Sequence, residues 1–133
     1  MGPLPRSPVP TVLLIDDNAL QLCMRATVLR DAGFLVLTAS TAEQAFAALQ
    51  PSSPVKAIVT DHLMPGVRGP ELVHTVRALH PHVPVIAISG LPGAESEYAG
   101  LNVIFLRKPC RPEELIQRLR SCLSIRATLP TPS

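Results

Sequence analysis

Val12-Leu13-Leu14-Ile15-Asp16-Asp17 decides the fold: an unbroken apolar run stops on two adjacent acids. A strand with one wet face alternates apolar and polar residues. This run has no polar alternate, so it belongs in a sheet covered on both faces. Residues 18–32 then carry Leu22, Ala26, Leu29 and Ala32 at helical spacing and close on Gly33, which suits the left-handed position just past a helix end. One buried strand leads into one amphipathic helix.

The alternation continues to the end of the chain. Residues 34–37 read as a second strand, and Thr41 with Gln44 three positions later opens a helix through Leu49 in the manner of a capping box. Residues 55–60 form a third strand that ends on Asp61. Pro65, Gly66 and Gly69 mark a loop, and Pro70 suits the first turn of a helix carrying Leu72, Val73, Val76 and Leu79. Residues 83–89 and 103–106 are the fourth and fifth strands. Pro112, Glu113 and Glu114 open a last helix with Leu115, Leu119 and Leu123 on one face and acids at its positive end. The fold class is therefore α/β, an open, doubly wound, five-stranded parallel sheet with helices on both faces. In such sheets ligands bind outside the carboxyl ends of strands, where the winding reverses.

Composition agrees with one folded domain and narrows its chemistry. The chain has 133 residues, 47% of them apolar and 17% charged, enough to bury a core without disulfides or metal. No apolar run approaches the roughly 18 residues of a membrane span, and residues 1–10 hold four prolines and one Arg in place of a leader's apolar core. A cytoplasmic address is the expectation. Twelve basic and ten acidic side chains give a net charge of +2 with no basic cluster, so nucleic acid is not an expected partner. Three cysteines without a C-x-x-C pair do not make a disulfide framework or a zinc site; Cys23 and Cys122 read as small packing residues. No glycine-rich phosphate loop is present. Six of the fifteen prolines fall in residues 1–10 and 125–133, which read as flexible flanks around a domain at 11–124.

Polar residues follow the apolar runs at four strand ends: Asp16 and Asp17 after the first, Asp61 after the third, Ser89 after the fourth and Lys108 after the fifth. Any one acid after a strand is ordinarily a helix cap or a turn former. Four coincident ends point further. Converging carboxylates about 4 Å apart repel by about 4 kcal/mol at an effective dielectric near 20. A hard divalent cation with oxygen ligands relieves this, and Mg²⁺ typically takes one or two carboxylates and leaves room for phosphate. Beside it, a carboxylate can attack phosphorus, a lysine can pair with phosphoryl oxygens and a hydroxyl can hydrogen-bond one. Asp61 is single, central and followed by a loop, which suits the acceptor; the Asp16-Asp17 pair suits the metal.

Together, the strand ending in Asp16-Asp17, Asp61-His62-Leu63-Met64-Pro65 with Gly69 after it, Ser89-Gly90, and Phe105-Leu106-Arg107-Lys108-Pro109 resemble a receiver domain of two-component response regulators, of the chemotaxis-regulator type. The resemblance covers residues 11–123. It implies the flavodoxin-like strand order 2-1-3-4-5. Asp61 would accept a phosphoryl group from a phosphohistidine of a sensor kinase or histidine phosphotransfer protein. Asp17, Asp61 and the Leu63 backbone carbonyl would bind Mg²⁺ directly, with Asp16 acting through water. By the same resemblance Ser89 moves toward the phosphoryl group, Phe105 is the aromatic switch that swings inward, and Lys108 anchors the phosphoryl group ahead of a cis peptide to Pro109. The domain would be a monomer or a weak, phosphorylation-dependent dimer.

Two departures stand out. From Ser89 to Lys108 is 19 positions, a few fewer than the family has, and Pro92, Gly93 and Gly100 leave a fourth helix of at most six residues. The shortening falls on the usual output surface. Roughly ten residues on each side are too few for a DNA-binding helix pair, so the chain reads as a stand-alone regulator, a phosphorelay intermediate or a module of a longer kinase. A haloacid-dehalogenase phosphatase would need an acid at position 63, where this chain has Leu. A pseudo-receiver that binds partners without phosphorylation is the alternative, against which the intact set of Asp16, Asp17, Asp61, Ser89 and Lys108 speaks. His62 reads as a partner-facing loop residue, and His74, His80 and His82 as surface residues.

The second departure is that Leu63 and Leu91, on the rim positions that tune the lifetime of the acyl phosphate in this family, are both apolar and offer nothing to orient an attacking water. Loss of phosphoryl from Leu63→Asn is accordingly expected to outpace that of the wild type when followed by intact mass. Equal rates, or a faster wild type, would end the shielding idea.

Overall fold

The structure, a computed structural model, describes residues 9–64 and 66–128. Residues 1–8 and 129–133, which are most of the expected flanks at 1–10 and 125–133, and Pro65 lie outside them. The first strand, β1 (Thr11–Ile15), is buried along its whole length, as its composition requires. Its side chains alternate between two cores: Leu13 and Ile15 enter one, Val12 and Leu14 the other. Both faces of the sheet are therefore covered, and no polar alternate is needed.

Helix α1 (Ala19–Asp31) and the last helix, α4 (Pro112–Thr128), cover one face through Ala26, Leu29, Leu115 and Leu119. The opposite face is covered by α2 (Ala42–Ala48) and α3 (Gly69–Leu79) through Ala45, Leu72, Val73 and Val76. Strands β2 (Leu35–Ala39) and β3 (Val55–Asp61) pair parallel on either side of β1. A two-residue hairpin, β4 (Leu63–Met64) with β5 (Val67–Arg68), turns through Gly66 at φ +82° where the sequence reads only as a loop. Two more parallel strands, β6 (Val85–Ser89) and β7 (Ile104–Arg107), complete the main sheet. Its order is β2-β1-β3-β6-β7, the expected 2-1-3-4-5 among the five long strands. The winding reverses between β1 and β3, which puts their carboxyl ends side by side.

Helix ends follow the sequence. Asn18 Oδ1 accepts the Gln21 N–H at 2.9 Å, Thr41 Oγ1 accepts the Gln44 N–H at 3.1 Å, and Gln44 Oε1 accepts the Ser40 N–H at 2.8 Å. Gly33 takes φ +102°, a conformation a side chain would disfavour. Helix α4 runs to Thr128, past the expected domain end at 124, because no breaker intervenes before Pro130. No helix among the described residues is long and apolar enough to cross a membrane.

The fourth crossover is as short as its glycines dictate, a single 3₁₀ segment at Ala94–Tyr98 with Gly93 and Gly100 both at φ +79°. Arg77, at the end of α3, pins the backbone that leaves this segment. Its guanidinium donates to the carbonyls of Leu101 at 2.8 Å and Asn102 at 2.9 Å, and also to those of His80 and Val83. A half-buried fork thus gathers four backbone acceptors. Burial pushes the Arg77 pKa down from its ordinary value, yet a guanidinium remains charged at neutral pH. Arg77→Ala should cost about 3 kcal/mol in chemical denaturation, and Arg77→Lys, which lacks the fork, should recover less than half of it. A loss below about 1 kcal/mol would show that the fork is dispensable.

Candidate functional site

Because Ile15 pairs with Thr60 across β1 and β3, the two strands end level and their next residues meet. One carboxylate oxygen from each of Asp16, Asp17 and Asp61 lies within 4.8 Å of the others. Asp16 is fully buried. Its Oδ1 accepts the Asn18 N–H at 2.9 Å and its Oδ2 accepts from Arg25 Nη1 at 2.9 Å, so both oxygens already have protein donors. Burial raises the Asp16 pKa above its ordinary value and the neighbouring charge of Asp61 adds to this, while the Asn18 N–H, Arg25 and Lys108 pull the other way. Asp17 is exposed and Asp61 half-buried, which leaves these two open to a ligand.

Lys108 Nζ lies 2.9 Å from Asp61 Oδ1. The lysine is held from behind, since its backbone N–H donates to the Ser89 carbonyl at 3.0 Å, and the peptide from Lys108 to Pro109 is cis. Ser89 is buried, and its Oγ accepts the Leu91 N–H at 3.0 Å. Asp61, His62, Ser89, Gly90, Leu91 and Lys108 enclose a cavity of about 170 Å³. Leu91, on its rim, is 45% exposed. Phe105 sits half-buried on β7, paired with Ala87 of β6. Leu63 begins the hairpin two residues after Asp61; its side chain lies outside the described set. All five polar residues expected at strand ends are thus gathered at one end of the sheet.

Other expectations need correction. His62 does not face partners: it is 1% exposed, with Nδ1 2.8 Å from the Tyr98 hydroxyl. Its β3 neighbours carry it under the hairpin, where its N–H donates to Ile88 and its carbonyl accepts from Gly69. His80 is half-buried too, Nε2 lying 2.6 Å from the Leu49 carbonyl. Cys23 is exposed on α1 and is not a packing residue. Cys110 lies near the site, but burial and the Glu114 carboxylate push its thiol above the usual range, which disfavours thiolate chemistry. Arg25 was not foreseen at all; nothing in the sequence tells which face of α1 turns back toward Asp16.

The family model for the response regulator receiver domain matches residues 12–120. Among curated proteins, the hydrogenase transcriptional regulatory protein HoxA of Cupriavidus necator is 37% identical over 118 residues, covering 85% of this chain and 24% of that protein. The probable transcriptional regulatory protein TcrX of Mycobacterium tuberculosis is 31% identical over 116 residues, 85% of this chain and 49% of that protein. The chain thus spans from a quarter to half the length of these relatives. Among solved structures, a response regulator receiver protein of Sinorhizobium medicae is 31% identical with a TM-score of 0.80, covering 89% of this chain and 97% of that one. The chemotaxis response regulator CheY4 of Vibrio cholerae is 28% identical with a TM-score of 0.78, covering 86% and 99%.

The crowded acids have a measurable consequence for stability. Because burial raises the Asp16 pKa, its ionised form is the costly one in the folded state, and at neutral pH the fold carries that cost. Asp16→Asn should therefore melt a few degrees above the wild type in metal-free buffer, and Mg²⁺ should raise the melting temperature of the wild type but much less that of the variant. A variant that melts lower without metal, or that gains as much from Mg²⁺, contradicts this account.

Proposed function

This chain belongs to the response regulator receiver domain family, and from that premise we propose that it is a phosphorylation-dependent signalling switch whose phosphoacceptor is Asp61. Receiver domains of response regulators work with sensor kinases or phosphotransfer proteins, and a phosphohistidine on such a partner is the donor we assign. One observation carries the reading: Asp61 has carboxylate oxygens of both Asp16 and Asp17 within 4.8 Å and a cation, Lys108 Nζ, 2.9 Å away.

The donor set suits Mg²⁺, which prefers a few carboxylates and retains several waters. Asp17 and Asp61 would bind it directly together with the Leu63 carbonyl, and Asp16, whose oxygens are already engaged, would act through water. When bound, the ion would neutralise charge on the acids and on phosphoryl oxygens. An Asp61 carboxylate oxygen attacks phosphorus in line; the P–N bond breaks and its electron pair leaves with the donor imidazole. Lys108, paired with Asp61 in the resting state, turns its charge to the incoming phosphoryl oxygens. The Ser89 hydroxyl accepts from Leu91, so its own proton is available to a phosphoryl oxygen. Leu91 on the rim, and by its position Leu63, would keep water from the acyl phosphate.

The added charge, about 1.5 to 2 negative units, is read out by movement of Ser89 and inward rotation of Phe105, which changes the protein-binding surface. We assign the chain to the cytoplasm, acting as a monomer or a weak phosphorylation-dependent dimer, with proteins and not DNA as its direct partners. Incubation with Mg²⁺ and acetyl phosphate should add one phosphoryl group by intact mass. Asp61→Asn should add none, and Lys108→Ala should slow the reaction about 10²-fold. No adduct on the wild type would favour a pseudo-receiver, and sustained turnover of an unrelated phosphoester would favour a phosphatase.

A further inference from the structure

The residue after the phosphoacceptor is a histidine sealed from solvent, and the phosphoryl transfer makes no use of it. His62 Nδ1 lies 2.8 Å from the Tyr98 hydroxyl, and the two rings meet edge to face with centroids 5.5 Å apart. Tyr98 ends the short fourth crossover, 36 positions away, and is the only tyrosine in the chain. Its own ring lies tilted against Phe105 at 5.9 Å. Tyr98 therefore stands between the residue that follows Asp61 and the residue assigned as the aromatic switch.

The close approach depends on Gly69. A Cβ there would lie 2.1 Å from the Tyr98 hydroxyl oxygen and within 3.1 Å of the His62 backbone, so only glycine leaves room for the tyrosine tip under the hairpin. A second tie runs outside the first, where Glu97 pairs with Arg68 of β5. Two adjacent residues of the crossover are thus bound to the segment that carries Asp61. A 3₁₀ segment of five residues flanked by two positive-φ glycines cannot hold its shape alone, so it takes its order from these ties.

The other ring nitrogen also faces the crossover. His62 Nε2 is buried and makes no hydrogen bond among the described residues, although Glu97 Oε2 is 3.4 Å away.

We propose that His62 is a positioning residue: its hydrogen bond to Tyr98 fastens the fourth crossover to the acceptor loop, so that a change at Asp61 reaches Phe105 and the crossover through Tyr98. The coupling rests on the reading of Asp61 as phosphoacceptor.

Amide hydrogen exchange over residues 94–101, followed by mass spectrometry with Mg²⁺ alone and with Mg²⁺ plus acetyl phosphate, tests this. In the wild type, phosphorylation should change exchange across the segment. Tyr98→Phe, which removes one oxygen and leaves the ring against Phe105, should exchange about tenfold faster there before any donor is added. It should still gain one phosphoryl group, with no further change in exchange. His62→Asn, whose amide can reach the hydroxyl, should respond as the wild type does, and His62→Leu should not. A phosphorylated Tyr98→Phe that responds like the wild type overturns the coupling, as does a His62→Asn that behaves like His62→Leu. Absence of any adduct on the wild type instead overturns the phosphoacceptor reading, and the coupling falls with it.

Discussion

Mutual repulsion of three carboxylates held within 4.8 Å is the constraint around which the rest of the molecule is arranged. Such a cluster disperses unless its backbone is immovable, and the backbone here is immobilised by two central strands, β1 buried throughout and β3 buried from Ala57 to Thr60. The same burial that fixes the acids makes one of them costly, since removal of Asp16 from water outweighs what the Asn18 N–H, Arg25 and Lys108 give back. Lys108 opposes the charge at Asp61, with Nζ 2.9 Å from Oδ1. The site is thus a region of electrostatic tension on a rigid support, the condition under which a divalent cation gains most by binding.

Much of this was legible in the sequence because it is local. An apolar run ending on an acid encodes both the strand and the chemistry at its tip, so Asp16, Asp17, Asp61, Ser89 and Lys108 could be found without knowing any contact. The doubly wound order then brings the tips together, because adjacent parallel strands of similar length end at the same edge of the sheet. Helix caps such as Asn18 and Thr41 were legible for the same reason, each acting on a backbone N–H three residues away.

What the sequence concealed is non-local. Arg25 reaches Asp16 across nine positions from a helix whose orientation depends on packing against α4 and the sheet. Arg77 was only a charged residue near a helix end until Leu101 and Asn102 came within its reach. His62 read as a loop residue because polar side chains beside Pro65 and Gly66 are usually solvated. Its burial depends on Tyr98, far along the chain on a segment with no periodicity to announce a buried face. The short hairpin of β4 and β5 escaped notice because two-residue strands carry no alternation at all.

The concealed contacts around residues 94–102 share a purpose that arises from the shortened fourth crossover. A full helix there would bury an apolar stripe and fix its own ends; a five-residue 3₁₀ segment can do neither, and its buried contribution is Ala94 and Tyr98. Side-chain bonds to backbone and ring atoms take over: Arg77 holds the chain leaving the segment, while His62 and Arg68 hold the segment itself. Bonds of this kind are few, directional and made to named partners, whereas a packed helix face is held by many weak contacts that fail together. A crossover secured by such discrete ties can be released by disturbing one of them. The short crossover is therefore an element held by a few named bonds, one of them to the residue beside Asp61.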